Sequence, residues 1–272
     1  MRRIIIANQV LQAVDLDSLS ALLREHEGLQ VYFLVDSLTQ LHLIEAWRVL
    51  RQSSTVFKVL LEIGIEGKRS GCRDHEEAFR LAQAIRQSPA VQLAGIECYE
   101  GALATCHHEH DRASVAALMA RVQKMATACE AEQCFETDEV LITAGGSAIF
   151  DLVSDHLTPH LSRPVRGILR SGCYLTHDHV QYRQHLKCVA ERLNLQETLR
   201  PAIELISVVQ SCPEPGLAIL AMGKRDVSYD LDLPVPEWRA AVGDVQTRGV
   251  PSHWAVTALN DQHAYSVSYT HL

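Results

Sequence analysis

The chain has 272 residues, of which 47% are apolar and 21% are charged, so it can bury the core of one large domain or of two modest ones. Its net charge is −8 and it contains no Lys/Arg-rich run, which argues against a nucleic-acid partner. No stretch approaches the roughly 18 apolar residues of a membrane span, and the first residues lack the apolar run of a secretory signal. We therefore expect a cytoplasmic protein whose eight scattered cysteines are reduced.

Short apolar runs alternate with segments of helical apolar spacing, the pattern of βα units around a parallel sheet. The predicted strands are Arg3–Ala7, Val31–Asp36, Val56–Ile63, Leu93–Glu97, Val140–Ala144 and Val165–Leu169. The predicted helices are Asp17–Glu27, Leu38–Gln52, Asp74–Ser88 and Asp111–Glu130, and several of them open with an Asp or Ser suited to an N-cap. Strands as uniformly apolar as these predict either a (β/α)8 barrel or an open doubly wound sheet.

The pattern changes after about Leu199. Ala202–Gln210 and Gly216–Met222 are β-rich, and the Pro- and Gly-containing stretch that follows has no helical periodicity. This part predicts a second, all-β domain. Six strands leave a barrel two short, so we expect either an open sheet or a barrel that has lost its first two βα units. The last residues, SVSYTHL, resemble a translated cloning adaptor and receive no structural weight.

Two strands run directly into loops that carry candidate binding residues. The segment LEIGIEGKRSG at 61–71 places Lys68 and Arg69 among three glycines, and GIECYEG at 95–101 ends a strand at Tyr99. Catalytic groups of parallel α/β folds lie at such carboxyl ends of strands, and Tyr99 could stack on a flat ligand. The alternatives are a solvated turn for the first loop and an ordinary core aromatic for Tyr99.

Two later strands end in glycine turns. Gly145, Gly146 and Ser147 follow the fifth strand, and Gly172 follows the sixth, two residues before Tyr174. Adjacent glycines expose backbone N–H groups, and a helix amino terminus adds partial positive charge, so each turn can bind an anion. Two such turns on the last strands match the position of the phosphate site in many barrels.

Two histidine clusters suggest a metal at first sight. They are Cys106–His110, with three histidines, and His177–His179. Neither an HExxH motif nor a paired CxxC is present, so we expect both clusters on exposed loops and no metal ligands in this chain. A metal-dependent hydrolase using His107, His108 and His110 is the alternative, and it would require stoichiometric zinc.

Eight segments of the chain follow one another in a recognisable order and spacing. They are IANQV at 6–10, LVDS at 34–37, LEIGIEGKRSGCR at 61–73, GIECYEG at 95–101, TAGGSA at 143–148, RSGCYLTHD at 170–178, SCPEPGLAILAMGKRD at 211–226 and DQHAY at 261–265. Together they resemble the alanine-racemase-like fold-type III enzymes that use pyridoxal 5′-phosphate (PLP), in particular the D-serine dehydratase, D-threonine aldolase and amino acid deaminase branch.

The resemblance implies a partial PLP-binding barrel over residues 1–198 and a partial β domain over residues 199–272, dimeric in the intact protein. Arg69 matches an arginine near the phenolic oxygen of PLP, and Tyr99 matches a tyrosine that lines the cofactor pocket. Two further segments match the phosphate-binding turns. The implied cofactor-binding residues are Arg69, Tyr99, Gly145, Gly146, Ser147, Gly172, Cys173 and Tyr174.

Two elements of the family pattern are missing from the sequence. The lysine that binds PLP covalently lies in a segment resembling PHxKT, and no such segment occurs; a C-terminal His/Cys pair that binds zinc or manganese is also not found. We therefore assign no catalytic residue. The resemblance implies that the intact parent is a PLP-dependent lyase that deaminates or cleaves small D-amino acids such as D-serine or D-threonine, with deamination favoured. We expect this fragment to be inactive, and the alternative is a non-catalytic PLP- or phosphate-binding remnant.

Overall fold

A computed structural model describes residues 2–241, 243–244 and 246–268. Its first part is a curled sheet of six parallel strands that follow one another in chain order. The strands are β1 (Arg3–Gln9), β2 (Gln30–Val35), β3 (Phe57–Ile63), β4 (Val91–Cys98), β5 (Val140–Ala144) and β6 (Val165–Leu169). This is the predicted barrel-type α/β architecture, with every strand joined to its sequence neighbour.

Six helices accompany these strands: α1 (Ala13–Glu25), α2 (Leu38–Leu50), α3 (His75–Gln87), α4 (His108–Ala131), α5 (Phe150–Val153) and α6 (Gln181–Leu193). The starts of α2 and α3 follow the sequence signals. The Ser37 hydroxyl accepts a hydrogen bond from the Gln40 backbone N–H, and the Asp74 carboxylate accepts one from Glu77. Each cap satisfies one of the otherwise unpaired first N–H groups of its helix.

The predicted starts of α1 and α4 were wrong, because Asp17 and Asp111 both lie inside their helices rather than at the N-cap. Helix α1 begins at Ala13, and the Asp17 carboxylate instead accepts hydrogen bonds from Trp47 and Arg51 of the α2 region. Helix α4 begins at His108, and Asp111 is buried one turn inside it. A polar residue ahead of an apolar repeat is therefore not always the N-cap.

The two faces of the sheet are both covered. The outer face packs against the helices through a large cluster of buried residues that includes Phe33, Phe57 and Ile96. The inner face has a smaller cluster made by Tyr32, Leu34, Leu60, Ala94 and Leu141. Burying one such large apolar side chain contributes about 1.5–3 kcal/mol, so the two clusters stabilise the sheet from both faces.

Strands β4 and β5 approach each other closely at Gly95. A Cβ at this position would lie 1.9 Å from the carbonyl oxygen of Leu141, a backbone atom that cannot move aside. Only glycine fits there.

The chain divides into two compact units. Unit 1 comprises residues 1–172 and 188–196, and unit 2 comprises residues 173–187 and 197–272. Unit 2 contains an antiparallel four-stranded sheet and a two-stranded one, in the orders β11-β12-β8-β7 and β10-β9. These strands are β7 (Val209–Glu214), β8 (Leu217–Leu220), β9 (Trp238–Arg239), β10 (Arg248–Gly249), β11 (Trp254–Leu259) and β12 (Ala264–Ser268).

The β character predicted for the C-terminal part is confirmed, but one segment was placed wrongly. Residues 202–208 are not in a strand, and β7 begins only at Val209. Of the tail, SVS at 266–268 belongs to β12, and residues 269–272 lie outside the described residues. Within the described residues, no helix is both long enough and apolar enough to cross a lipid bilayer.

Candidate functional site

A polar layer occupies the carboxyl ends of the strands of unit 1. Glu62 lies two residues after Leu60 of the inner cluster, and Glu97 and Thr143 lie opposite one another in the register of β4 and β5. Alternation along a strand therefore places these polar groups on the inner face, above the apolar cluster. The layer consists of Gln9, Asp36, Glu62, Glu97, Thr143 and Arg170.

Glu62 is buried and connects three segments. Its carboxylate accepts hydrogen bonds from the Gln9 side chain and, at 3.0 Å, from the Ser70 hydroxyl. Burial raises the pKa of Glu62, and these two hydrogen bonds work in the opposite direction. The loop after β3 is thus tied by Ser70 to the top of the sheet, close to the candidate residue Arg69.

Glu97 and Arg170 form a buried ion pair. The Arg170 guanidinium contacts Glu97 Oε1 and also donates to Thr143 Oγ1 at 2.8 Å and to the Cys98 carbonyl at 3.2 Å. The Glu97 side chain is only 1% exposed, and its Oε2 has no hydrogen-bond partner among the described residues. Burial raises the pKa of Glu97 to about 8, although Arg170 pulls it down.

This raised pKa predicts a pH-dependent stability. The folded protein holds the Glu97 proton more tightly than the unfolded chain, so the stabilisation is complete below the ordinary pKa of 4.5 and is lost as the pH rises to about 8. We expect the free energy of unfolding of the wild type, measured with urea, to fall over this pH range relative to that of the Glu97→Gln variant. The difference should be on the order of a few kcal/mol. Parallel pH profiles of the two proteins would contradict the assignment.

The candidate residues Arg69 and Tyr99 are brought together. The Arg69 guanidinium lies over the Tyr99 ring, 4.7 Å from its centroid, a cation–π geometry. Both side chains line a small pocket at the end of β3, whose wall also includes Glu62, Gly64, Lys68 and Ser70. Arg69 and Lys68 are exposed, so the pocket presents positive charge to solvent.

Gly145 and Gly146 form the turn that the sequence predicted. Gly146 has φ +73°, and a Cβ there would lie 2.6 Å from Leu169 Cδ2, whereas a Cβ on Gly145 would lie 2.7 Å from the Tyr99 ring. In the structure, both backbone N–H groups donate to the carboxylate of Glu100, and the distance from Gly145 N to Glu100 Oε2 is 2.9 Å. The turn therefore presents both N–H donors to the carboxylate of Glu100, and its role in binding the phosphate of a cofactor stays a prediction.

The second glycine turn is linked to the first. The Ser171 hydroxyl donates to the Gly146 carbonyl at 2.8 Å, and the backbone around Gly172 is open, because a Cβ there would meet nothing within 4 Å. Ser147 is half-buried beside the first turn. Cys173 and Tyr174, in contrast, lie in unit 2, in a short 3-10 turn, and both are exposed. The roles of all eight candidate residues in cofactor binding stay predictions.

Four acidic or basic residues of this region were missed by the sequence analysis. They are Glu62, Glu97, Glu100 and Arg170, and Glu97 and Glu100 are almost fully buried. The sequence did carry a signal for two of them. Glu62 and Glu97 are charged residues that interrupt a mainly apolar run near the carboxyl end of each strand. A charge in that place is costly to bury and indicates a specific role.

The expectation that both histidine clusters lie on exposed loops was wrong. His108, Glu109 and His110 form the first turn of α4, and His177 is 2% exposed, with its ring edge-on to Tyr182 at 5.1 Å. Neither ring nitrogen of His177 has a hydrogen-bond partner in the part of the chain that the structure describes. His108 instead lies near two residues of α6, Cys188 and Glu191.

The five lysines are spread over the molecule. Lys58 lies near the amino end of β3, 5.8 Å from the centre of the Tyr32 ring. Lys124 and Lys187 lie on α4 and α6, and Lys224 is in unit 2. Among the described lysines, only Lys68 lies at the carboxyl end of a strand of unit 1, where a covalent cofactor lysine would be needed.

Two family models match the chain in succession. The model described as "Alanine racemase, N-terminal domain" matches residues 2–178, and the model described as "Putative serine dehydratase domain" matches residues 202–269. The first match covers the parallel sheet with its polar layer and extends into the beginning of unit 2. The second covers the C-terminal antiparallel strands.

Individual proteins are similar at low sequence identity. A 3-hydroxy-D-aspartate aldolase of Paracoccus denitrificans is 24% identical over 235 residues, which are 86% of this chain and 57% of the relative. The solved D-threonine aldolase of Filomicrobium marinum has a TM-score of 0.67 at 20% identity, over 99% of this chain and 63% of that one. A D-threo-3-hydroxyaspartate dehydratase of a Delftia species has a TM-score of 0.62 at 20% identity, over 97% and 65%. The solved structures show a shared fold, and the chain spans less than two thirds of the length of each relative.

Proposed function

Because the chain belongs to the family of the alanine racemase N-terminal domain, we propose that it forms the cofactor-binding part of a PLP-dependent lyase acting on D-amino acids with a β-hydroxyl group. The relatives named as an aldolase of D-threonine and a dehydratase of 3-hydroxyaspartate support this substrate class. Both names describe lyases whose substrates carry an oxygen on the β-carbon. The carboxyl edge of the unit 1 sheet is the proposed site.

One observation carries the proposal: Arg69, Tyr99 and the glycine turn at Gly145 lie side by side at this edge. A guanidinium stacked on an aromatic ring suits a flat, anionic ligand, and the Gly145 turn, whose N–H groups donate to Glu100, lies directly against this ring. The lone buried Oε2 of Glu97 adds a polar atom that still needs a partner. These features fit PLP, whose ring is flat and whose phosphate is anionic.

Each residue then has a defined task. Arg69 would hold the phenolic oxygen, since its planar donors stay charged at every working pH. Tyr99 would support the ring through its aromatic face. Ser147 and the open turn at Gly172 would supply donors to the phosphate, while Glu100 holds the preceding turn in place through Gly145. Glu62 and Glu97 would keep the polar layer above the apolar interior rigid.

When bound, PLP supplies an electron sink for the negative charge that develops at the substrate Cα. The chain's residues would orient the bond that breaks relative to the cofactor ring. Loss of the β-hydroxyl would yield a keto acid and ammonia, and cleavage of the Cα–Cβ bond would yield glycine and an aldehyde. The resemblance to the deaminase branch favours the first reaction.

The placement of the lysines favours a second candidate function for this chain by itself, that of a non-catalytic PLP- or phosphate-binding module. Lys68 is exposed in a loop, Lys58 lies near the amino end of β3, and Lys124 lies on α4. The chain could then bind the cofactor without reacting with it.

The two functions share a cofactor site, which can be tested without covalent chemistry. Pyridoxamine 5′-phosphate lacks the aldehyde, so no lysine can trap it. We expect Arg69→Ala to weaken its binding about tenfold or more in a calorimetric titration, since a charged hydrogen bond contributes about 1.5–3 kcal/mol. Lys68→Ala, which removes an equal charge from the same loop, should have a much smaller effect. Equal effects of the two substitutions would remove Arg69 from the site.

A further inference from the structure

A group of metal-binding side chains lies in unit 1, apart from the polar layer. One pair of residues comes from the start of α4 and the other pair from the second half of α6. The ligand atoms of His108, Cys188 and Glu191 lie within 4.8 Å of one another, and the thiol of Cys106 forms a hydrogen bond with Cys188. We call Cys106, His108, Cys188 and Glu191 the α4–α6 cluster.

The loop that carries Cys106 is held by the buried Asp111. Its carboxylate accepts hydrogen bonds from the Thr105 hydroxyl at 2.6 Å, from the Thr105 backbone N–H at 3.0 Å and from the Cys106 backbone N–H at 3.1 Å. Cys106 adopts φ 62°, a backbone conformation that a non-glycine residue rarely takes without such support. The Cys106–His108 segment is thus fixed at the beginning of α4.

The α6 side of the cluster is held by a second buried pair. Arg192 donates to both carboxylate oxygens of Asp151, at 2.6 and 2.8 Å, and both side chains are 2% exposed. Cys188 and Glu191 are three residues apart on α6, so they lie on the same face of this helix. The pair fixes this face on unit 1 and keeps the two ligand residues directed to His108.

The chemistry of these four groups suits zinc. Zinc binds thiolate, imidazole and carboxylate ligands at about 2.0–2.3 Å, which corresponds to separations of about 3.3–3.8 Å between ligand atoms in a tetrahedron. His108 Nε2 and Glu191 Oε2 are already 3.5 Å apart, and the ligand atoms of His108, Cys188 and Glu191 all lie within 4.8 Å of one another. The Cys106 thiol joins these three through its hydrogen bond with Cys188. Small side-chain rotations would bring the ligand atoms to the separations of a tetrahedral zinc site.

We propose that the α4–α6 cluster binds one Zn²⁺ ion. Four protein ligands leave no open coordination position, so the site is structural and joins the beginning of α4 to α6. The proposal does not depend on the cofactor assignment, because none of the four residues belongs to the polar layer or to the predicted PLP site. It predicts that metal binding raises the stability of unit 1, since the ion binds the folded arrangement of the two helices.

Cobalt titration of the reduced, metal-free chain tests the proposal. Co²⁺ reports tetrahedral thiolate coordination through visible d–d bands and a thiolate charge-transfer band. We expect one Co²⁺ per chain, displaced by an equal amount of Zn²⁺. His108→Ala and Cys188→Ser should each weaken binding by more than the roughly tenfold cost of losing an outer-shell partner.

Matched controls come from neighbouring residues of the same types. His110 lies in the same first turn of α4 as His108, and Cys129 is a buried thiol outside the cluster. The variants His110→Ala and Cys129→Ser should both bind Co²⁺ as the wild type does. The thermal midpoint should rise with zinc in the wild type and in both controls, but not in His108→Ala. Failure to bind Co²⁺ with these spectra, or equal binding by His108→Ala and His110→Ala, would overturn the proposal.

Discussion

Arg170→Ala should lower the free energy of unfolding by about 3–5 kcal/mol at pH 9, the cost of removing one partner of a buried ion pair. The substitution leaves the Glu97 carboxylate without its cation in a place where it is 1% exposed. It also removes the donor to Thr143 Oγ1 and to the Cys98 carbonyl. Urea unfolding of both proteins would measure the difference.

The pH and a second pair provide controls for this experiment. Because the pKa of Glu97 is raised to about 8, more of its carboxyl is neutral at pH 6, and the loss should be smaller there. Arg166→Ala breaks a comparable pair with Glu139, but the Arg166 side chain is 56% exposed and should contribute far less. Equal losses for Arg166→Ala and Arg170→Ala would show that the polar layer is not held by its buried pair.

Incubation of the chain with PLP, followed by borohydride reduction and mass spectrometry, should give no stoichiometric adduct on a single lysine. A covalent cofactor lysine must be held in place against the cofactor aldehyde, and the exposed loop that carries Lys68 does not hold its amine in this way. D-serine and D-threonine should accordingly not be consumed by this chain. We therefore expect no product at all. Mass spectrometry would detect both the keto acids of deamination and the aldehydes of cleavage.

Lys68→Ala is the control for the trapping experiment. Lys68 is the described lysine at the carboxyl edge, so any adduct that forms there should disappear in this variant. A stoichiometric Lys68 adduct in the wild type, accompanied by turnover of a D-amino acid, would contradict the non-catalytic interpretation. The chain would then be an enzyme that uses a loop lysine.

The parallel sheet could be predicted because its signal is local. Val140–Ala144 and Val165–Leu169 are short, mainly apolar runs, and the structure has these strands with the predicted bounds. The start of β7 could not be predicted, because residues 202–208 have β-forming side chains but no strand partner. Pairing in an antiparallel sheet depends on distant residues, and a single segment does not encode it.

The site shows the same division. Glycine turns after strands were recognisable, because glycine adopts a positive φ, such as the +73° found at Gly146, more readily than other residues. The hydrogen bonds from the Gly145 and Gly146 N–H groups to Glu100 could not be predicted, because Glu100 is 45 residues away in sequence from Gly145. The α4–α6 cluster escaped for the same reason. Its ligands lie on two helices, and motif spacing describes only ligands on one segment.

The cofactor site is tested most directly by titrating the unaltered chain with pyridoxamine 5′-phosphate and following its backbone amide resonances. We predict shifts that saturate with one equivalent and concentrate at the carboxyl ends of the unit 1 strands, at residues 64–71, 99–102, 145–147 and 170–172. The shift of the Gly172 amide should be among the largest, because its surroundings are open. Shifts that do not saturate, or that concentrate on the helices instead, would contradict the proposal that this edge binds PLP.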